Sequence, residues 1–265
     1  MSCAPERAAI TSDNDSPTFV SLNPCLDAIL VEVAEPEQIL ALSHYSRDPS
    51  ASSMDVDTAL KFGFTGGTAE EVLALQPDIV LASIFIAPAT RAAFERLGVR
   101  VETFGSPNTV EESIAQVHKL ADLVGDRDAG ETLAQRMISV PEQPAGRELG
   151  ALLWQPGQIV PGETTLVSEH LRWAGLSSHS AARGLGQADY VSLEALLADP
   201  PDILLVAGDR PGQRHPLLGQ LRDTLVADFD TKLLFCGGPT IPRARARLVE
   251  VRERVERESM SEAKQ

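Results

Sequence analysis

Short aliphatic runs without polar alternation alternate along the chain with stretches whose apolar residues recur three and four positions apart. Segments 18–22, 39–42, 78–82, 149–154 and 203–206 predict strands, and Ile79-Val80-Leu81 and 203–206, which carry no polar alternation, read as covered on both faces as in a parallel sheet; segment 99–104, where Arg100 and Glu102 alternate with valines, predicts another strand. Segment 232–235 is a further, final strand on the same pattern. Residues 109–124 belong to the second kind. Ile114, Val117, Leu120 and Val124 share one face, and Gly125 punctuates the helix. The alternation predicts an α/β protein.

One pattern occurs twice. Thr68-Ala69-Glu70, followed by Pro77-Asp78 and Ile79-Val80-Leu81, is echoed by Ser192-Leu193-Glu194, Pro201-Asp202 and Ile203-Leu204-Leu205-Val206. The copies lie 124 residues apart, a domain-sized interval. Each predicts a short helix running into a strand. Thr68 and Ser192 are N-caps, since a hydroxyl accepts from the free N–H groups of a first turn, and Thr68 with Glu71 fits a capping box. Pro77 and Pro201 end the helices because the residue before a proline avoids the helical region. Two similar α/β lobes follow from this, with an N-terminal tail at 1–17, a first lobe at 18–125, a helix and Pro/Gly boundary at 126–145, and a second lobe at 146–265. Residues 50–67 and 176–191 read as irregular, and a charged helix closes the chain from Ile241.

The length of 265 residues accommodates two lobes of about 100–130 residues each. A formal net charge of −15, without a basic stripe, argues against nucleic acid as a partner. No stretch approaches the ~18 apolar residues of a membrane span. The N-terminus lacks the apolar core of a signal peptide, so the chain reads either as cytoplasmic or as a trimmed mature form; Ser2-Cys3-Ala4 makes Cys3 a candidate lipid-anchor site, against the plainer reading of an unstructured tail. The chain reads as a monomer.

Ligands of open parallel sheets sit beyond the carboxyl ends of the strands. Here those ends carry Cys25, His44, Tyr45, Phe85, Trp154 and Cys236, with Phe64 and Tyr190 in loops beside them. Aromatic side chains at such positions suit a flat or large apolar ligand, although Phe64, Phe85 and Trp154 also fit a core. Cys25 and Cys236 read either as small buried hydrophobes or as cleft residues, one from each lobe, acting as soft ligands or a redox pair. Three cysteines in all allow one bridge and no disulfide framework. His118 and His170 read as helix packing residues. No nucleophile elbow, phosphate loop, zinc-protease motif or dinucleotide fingerprint is present, so no catalytic or metal residues are assigned.

Together, Val20-Ser21-Leu22-Asn23-Pro24, Leu42-Ser43-His44-Tyr45-Ser46, Gly67-Thr68-Ala69-Glu70 and Val191-Ser192-Leu193-Glu194, with their Pro-Asp strands, resemble the class III periplasmic substrate-binding proteins of bacterial ABC importers. That group captures cobalamin, ferric siderophores and haem. The resemblance runs from Thr18 to the terminal helix and is strongest to the cobalamin-binding type. It implies two Rossmann-like lobes joined by a single linker helix, a periplasmic location, no covalent cofactor, and a cobalamin-like or other metal-chelate ligand in the cleft. It also implies that Tyr45 and Phe64 contact ligand and that Glu70 and Glu194 dock to the permease. Departures from the family pattern are Ala188 where the cobalamin binder has a tryptophan, a short linker helix, and Cys25 and Cys236 themselves. An α/β enzyme or a metallochaperone using Cys25, His44 and Cys236 is the competing expectation.

Overall fold

The computed structural model describes residues 16–139, 147–234 and 236–262. Cys3, the expected tail up to residue 15 and the Pro/Gly boundary at 141–146 lie outside the described residues.

The first sheet is built from β1 (Phe19–Ser21), β2 (Ile39–Ser43), β3 (Phe64–Thr65), β4 (Ile79–Ser83) and β5 (Arg100–Phe104), in the order β3-β2-β1-β4-β5. All of its pairings are parallel. The connecting helices are α1 (Pro24–Val33), α2 (Val56–Ala59), α3 (Ala69–Leu75) and α4 (Pro88–Arg96); α5 (Val110–Val124) and α6 (Arg127–Ile138) follow the last strand. The second sheet takes β6 (Leu149–Trp154), β8 (Leu176–Ser178), β10 (Ile203–Ala207) and β11 (Leu225–Phe229) in the order β11-β10-β6-β8, again all parallel. Its short companions β7 (Ile159–Val160) and β9 (Asp189–Tyr190) pair antiparallel with each other. Helices α7 (Leu166–Trp173), α8 (Leu193–Ala198) and α9 (Ile241–Glu262) complete this half.

The two lobes repeat one plan. Each opening strand is central, the next strand lies on one side, and the strand after the repeated helix lies on the other. The repeated Pro-Asp explains how that order is held. Asp78 Oδ2 accepts from the Thr18 amide at 2.8 Å and its hydroxyl at 2.7 Å, at the head of β1. Asp202 Oδ2 accepts from the Gly150 amide at 2.7 Å near the head of β6, and Arg147 donates to its other oxygen at 3.0 Å. In each lobe the aspartate that ends the turn anchors the neighbouring first strand. The caps are also as expected: Thr68 and Ser192 accept from Glu71 N and Ala195 N. Only half of the capping box forms. The Glu71 carboxylate turns to Gly66 N at 2.6 Å and Thr65 Oγ1 at 3.0 Å, tying β3 to the helix instead.

Three expectations need correction. The last strand is Leu225–Phe229, not 232–235. Thr231–Leu233 forms a 3-10 turn capped by Asp230, whose carboxylate takes the Lys232 amide at 2.9 Å, and Phe235 lies outside the described residues. An exposed edge strand with alternating burial hides better in a sequence than a buried aliphatic run. The stretches 50–67 and 176–191 are not wholly irregular, since they contain α2, β3, β8 and β9. The third concerns the cysteines. Cys25 and Cys236 are joined in a disulfide with their Cα atoms 5.1 Å apart.

That bond lies where the halves meet. Cys25 occupies the first turn of α1, behind the N-cap Asn23, and Cys236 precedes α9. Beside it, Gly238 N donates to Ser113 Oγ of α5 at 2.7 Å. A Cβ on Gly237 would stand 2.2 Å from that oxygen, so the two backbones approach as closely as glycine allows. Farther along, the Glu169 carboxylate of α7 accepts from Val110 N, the first residue of α5, at 2.9 Å. Helix α9 then crosses the junction: Ile241 is buried in the core of the first half, while Ala244, Leu248 and Val251 are buried in the second.

The disulfide links residues 211 apart. Closing such a loop removes roughly 5 kcal/mol of unfolded-chain entropy, of which native bridges commonly deliver about 2–4 kcal/mol. Denaturant unfolding of Cys25→Ser with Cys236→Ser is expected to show a loss in that range. A loss below ~0.5 kcal/mol would mean that the bridge constrains little.

Candidate functional site

Both sheets turn their carboxyl edges toward the junction, and two cavities open between them. One, of about 320 Å³, lies between the loop after β5 (Ser106, Asn108) and the C-terminal loops carrying Gln155, Thr165, Gln187 and Cys236. The other, of about 620 Å³, lies between Pro49 and Ser50 and the loops after β10 and β11, where Asp209, Arg214, Asp228 and Asp230 line it. Volumes of about 300–1,000 Å³ are those of small-molecule sites. Among the described residues no group of three or more His, Cys, Asp or Glu side chains could hold a metal ion.

The sequence-predicted residues divide into three groups. Tyr45, Phe85 and Tyr190 are exposed at 50%, 80% and 68%, at or just beyond the ends of β2, β4 and β9, and none of the three lines either cavity. His44 is half-buried; its ring lies 4.0 Å from that of Tyr45, and Nδ1 lies 3.3 Å from the Thr65 carbonyl oxygen. Phe64 is half-buried against the first core, and the Arg47 guanidinium sits 5.5 Å from its ring centre. Trp154 departs from expectation. It is 1% exposed in the second lobe, and its Nε1 donates to the Val191 carbonyl at 2.9 Å, so both its apolar body and its polar handle are used internally. Cys25 and Cys236 are removed as soft ligands by their disulfide, although Cys236 does line the smaller cavity.

Glu70 and Glu194 both stand exposed in the first turns of α3 and α8. A helix that leads into a parallel strand begins near the carboxyl edge of its sheet, so each acid lies toward the rim of the junction. Glu71 is engaged with its own loop, whereas Glu70 has no hydrogen-bond or ion-pair partner among the described residues. Hydrogen bonds from its own amide and the Ser192 hydroxyl hold the Glu194 carboxyl below its ordinary value.

Sequence reasoning missed Asp27. It reads as an ordinary first-turn acid of α1, yet it is fully buried. Its Oδ2 accepts from Ser43 N at 2.9 Å and from Ser46 Oγ at 2.5 Å. Burial pushes its pKa up to about 7, against the opposing hydrogen bonds of Ser21, Ser46 and Ser43. Only the aliphatic company it keeps, Leu26, Ala28, Ile29 and Leu30, hints at its depth. Arg47 was also missed, since an exposed loop arginine carries no periodic signal.

A family model described as "Periplasmic binding protein" matches residues 19–224. The chain belongs to the periplasmic binding protein family. This periplasmic binding protein is similar in fold to the vitamin B12-binding protein BtuF of Vibrio cholerae, with TM-score 0.68, 17% identity, and 91% of this chain and 98% of that chain covered. A periplasmic haem-binding protein of Pseudomonas aeruginosa aligns with TM-score 0.65 and 24% identity over 88% of this chain and 91% of its own. The haem-binding protein HutB of Vibrio cholerae aligns with TM-score 0.68 and 18% identity over 89% and 98%. No curated protein matches the chain significantly. The expected architecture of two α/β lobes with parallel sheets flanked by helices therefore holds, as does the expected role of solute capture for an importer. A disulfide between the lobes fits the oxidising periplasm.

Two buried groups give this binding protein opposed pH dependences. Asp27 keeps its proton to about pH 7, above its unfolded value of 3.8, so its contribution is full at low pH and is lost as pH rises through 7. His170 is buried, and desolvation, helped by the Arg245 charge, pushes its pKa down to about 3. Its contribution is present above its unfolded value of 6.5 and is lost as pH falls toward 3. Between about pH 4 and 6.5 the two slopes, each up to ~1.4 kcal/mol per pH unit, oppose each other. Relative to wild type, Asp27→Asn is expected to gain stability as pH rises through this window, and His170→Gln to lose it. Parallel stability–pH curves for all three proteins would refute the assignment.

Proposed function

We propose that this binding protein is a non-catalytic, monomeric carrier of a cobalamin-like or other metal-chelate ligand, such as haem or a ferric siderophore. It holds the ligand between the carboxyl edges of its two sheets. The observation that carries this reading is the exposure of Tyr45, Phe85 and Tyr190 at strand ends, together with cavities of about 320 and 620 Å³ between the lobes. Flat faces of a macrocycle or aryl chelate cover such rings well, and the polar side chains of Ser50, Asn108, Gln155 and Gln187 supply hydrogen bonds at its edges. The similar structures of vitamin B12-binding and haem-binding proteins point to the same ligand class. His44 and Tyr45, side by side at the end of β2, are the groups best placed to meet the ligand from the first lobe. Residues 126–145 connect the lobes, and the acidic surface carries no nucleic-acid role.

Glu70 and Glu194 support a second part of the reading, docking to the membrane permease. The dipole of a helix favours an acid in any first turn by ~0.3–1 kcal/mol. That preference does not account for an exposed acid, in no ion pair among the described residues, at the same place in both lobes. Arginines on the permease would pair with both.

Two measurements follow. Titration with cobalamin, haem and a ferric siderophore is expected to give at least one complex tighter than ~100 µM; none in that range would overturn the ligand class. Glu70→Arg with Glu194→Arg is expected to abolish ligand uptake through the permease while leaving ligand affinity unchanged, and uptake at the wild-type rate would remove the docking assignment.

A further inference from the structure

We propose that Asp27 is a positioning residue for the ligand-contact segment His44–Arg47, fixing it from below through one carboxylate oxygen. The inference rests on the reading that His44 and Tyr45 meet the ligand. Segment His44–Arg47 is a single 3-10 turn leaving the end of β2. Its internal bonds are few: Tyr45 N reaches Ser43 Oγ at 3.4 Å, and Asp48 N donates to the Tyr45 carbonyl at 3.0 Å. Neither fixes the turn against the lobe, and the 3.3 Å approach of His44 Nδ1 to the Thr65 carbonyl reaches only its first side chain. Asp27 does, because its Oδ2 takes the amide that enters the turn, Ser43 N, and the hydroxyl in its middle, Ser46 Oγ. Ser43, Ser46 and Asp27 are all buried, so water offers no competing partners.

The support beneath Asp27 is equally firm. It lies two residues after Cys25, whose bridge to Cys236 ties the start of α1 to the second lobe. Asn23 Oδ1 caps the same helix by accepting from Cys25 N at 2.8 Å. Two side chains presented to the cleft, His44 and Tyr45, are therefore referenced through one buried carboxyl to the junction between the lobes. A short turn on an edge of a sheet would otherwise sample several orientations, and ligand would have to order it on binding.

Three variants test this. Asp27→Ala removes the acceptor. Ser46→Ala removes one donor and leaves the carboxyl. Asp27→Asn keeps an oxygen where Oδ2 stands. Cyanocobalamin and haemin serve as separate probes, and amide hydrogen exchange of the free protein reads the turn directly. Expected are affinities weakened at least tenfold in Asp27→Ala and Ser46→Ala, near-wild-type affinity in Asp27→Asn, and faster exchange confined to residues 44–48 in the first two. A general loss of packing would not be rescued by asparagine and would not confine the change to one turn. Wild-type affinity in folded Ser46→Ala and Asp27→Ala, or unchanged exchange at 44–48, overturns the proposal. If wild type binds neither probe, the ligand reading fails for those probes, and the exchange result alone decides the role of Asp27.

Discussion

Everything in this molecule depends on how closely the two lobes meet. Two open sheets each present a row of carboxyl strand ends, and those ends make a site only if the lobes are held at a fixed angle with a gap between them. The junction achieves this with contacts that leave little slack. The disulfide of Cys25 and Cys236 fixes one point, and the Gly238 amide on Ser113 Oγ fixes a second. Glu169 on the amino end of α5 fixes a third, where a carboxylate meets free N–H groups and the positive end of a helix together. Gly237 leaves no room for a side chain, so a residue with a Cβ there would have to move a lobe or Ser113. Helix α9 buries Ile241 in one core and Leu248 in the other, so rotation of the lobes must also strain its packing. Three anchors and a shared helix favour small movements over wide closure.

The duplicated motif serves two separate needs. Its proline and aspartate are structural: Asp78 and Asp202 bind the heads of β1 and β6, so that the strand after the helix and the opening strand start in register. Parallel neighbours have no hairpin to set their register, and a carboxylate that reaches across to the first amide supplies the missing reference. The glutamates have no such task. Glu71, next in line, carries the local bonds that Glu70 does not. The division is chemically sensible, since a side chain engaged by its own loop is a poor partner for another protein. A feature repeated for folding thus brings with it a repeated, exposed acid on each rim.

The fold was largely legible because its strands are buried and its helices are capped. Ile79–Ser83 and Ile203–Ala207 contain no alternation to confuse, and Thr68 and Ser192 announce the helices before them. Leu225–Phe229 was missed for the opposite reason: it is an edge strand with exposed Val226 and Asp228. The site was legible only in part. Strand ends can be found from sequence, so Tyr45, Phe85 and Tyr190 were identified as candidates, but the direction of a side chain at such an end cannot. Trp154 turns inward to Val191, and nothing in its neighbours signals that. The cysteines were placed correctly at the junction, yet pairing requires a distance between lobes that no local pattern encodes.

Asp27 shows what this kind of reading lacks most. A carboxyl inside an aliphatic helix face is costly, because burial disfavours its charge even with several donors around it. Its pKa near 7 means that the donors offset only part of that cost. A leucine at this position would avoid it and enlarge the core, but would leave the Ser43 amide and Ser46 hydroxyl buried without an acceptor. The same groups could be satisfied by an asparagine at lower electrostatic cost. With a pKa near 7 the acid holds its proton over the acidic range, and its Oδ2 serves the turn there as a neutral acceptor, much as an asparagine oxygen would. A buried acceptor is understandable where a turn has to be held firmly under an exposed Tyr45, and where the helix that holds it is already tied to the opposite lobe through Cys25. At this one residue the cost of burying a carboxyl is set against two donors of the turn below Tyr45 that would otherwise be buried without an acceptor.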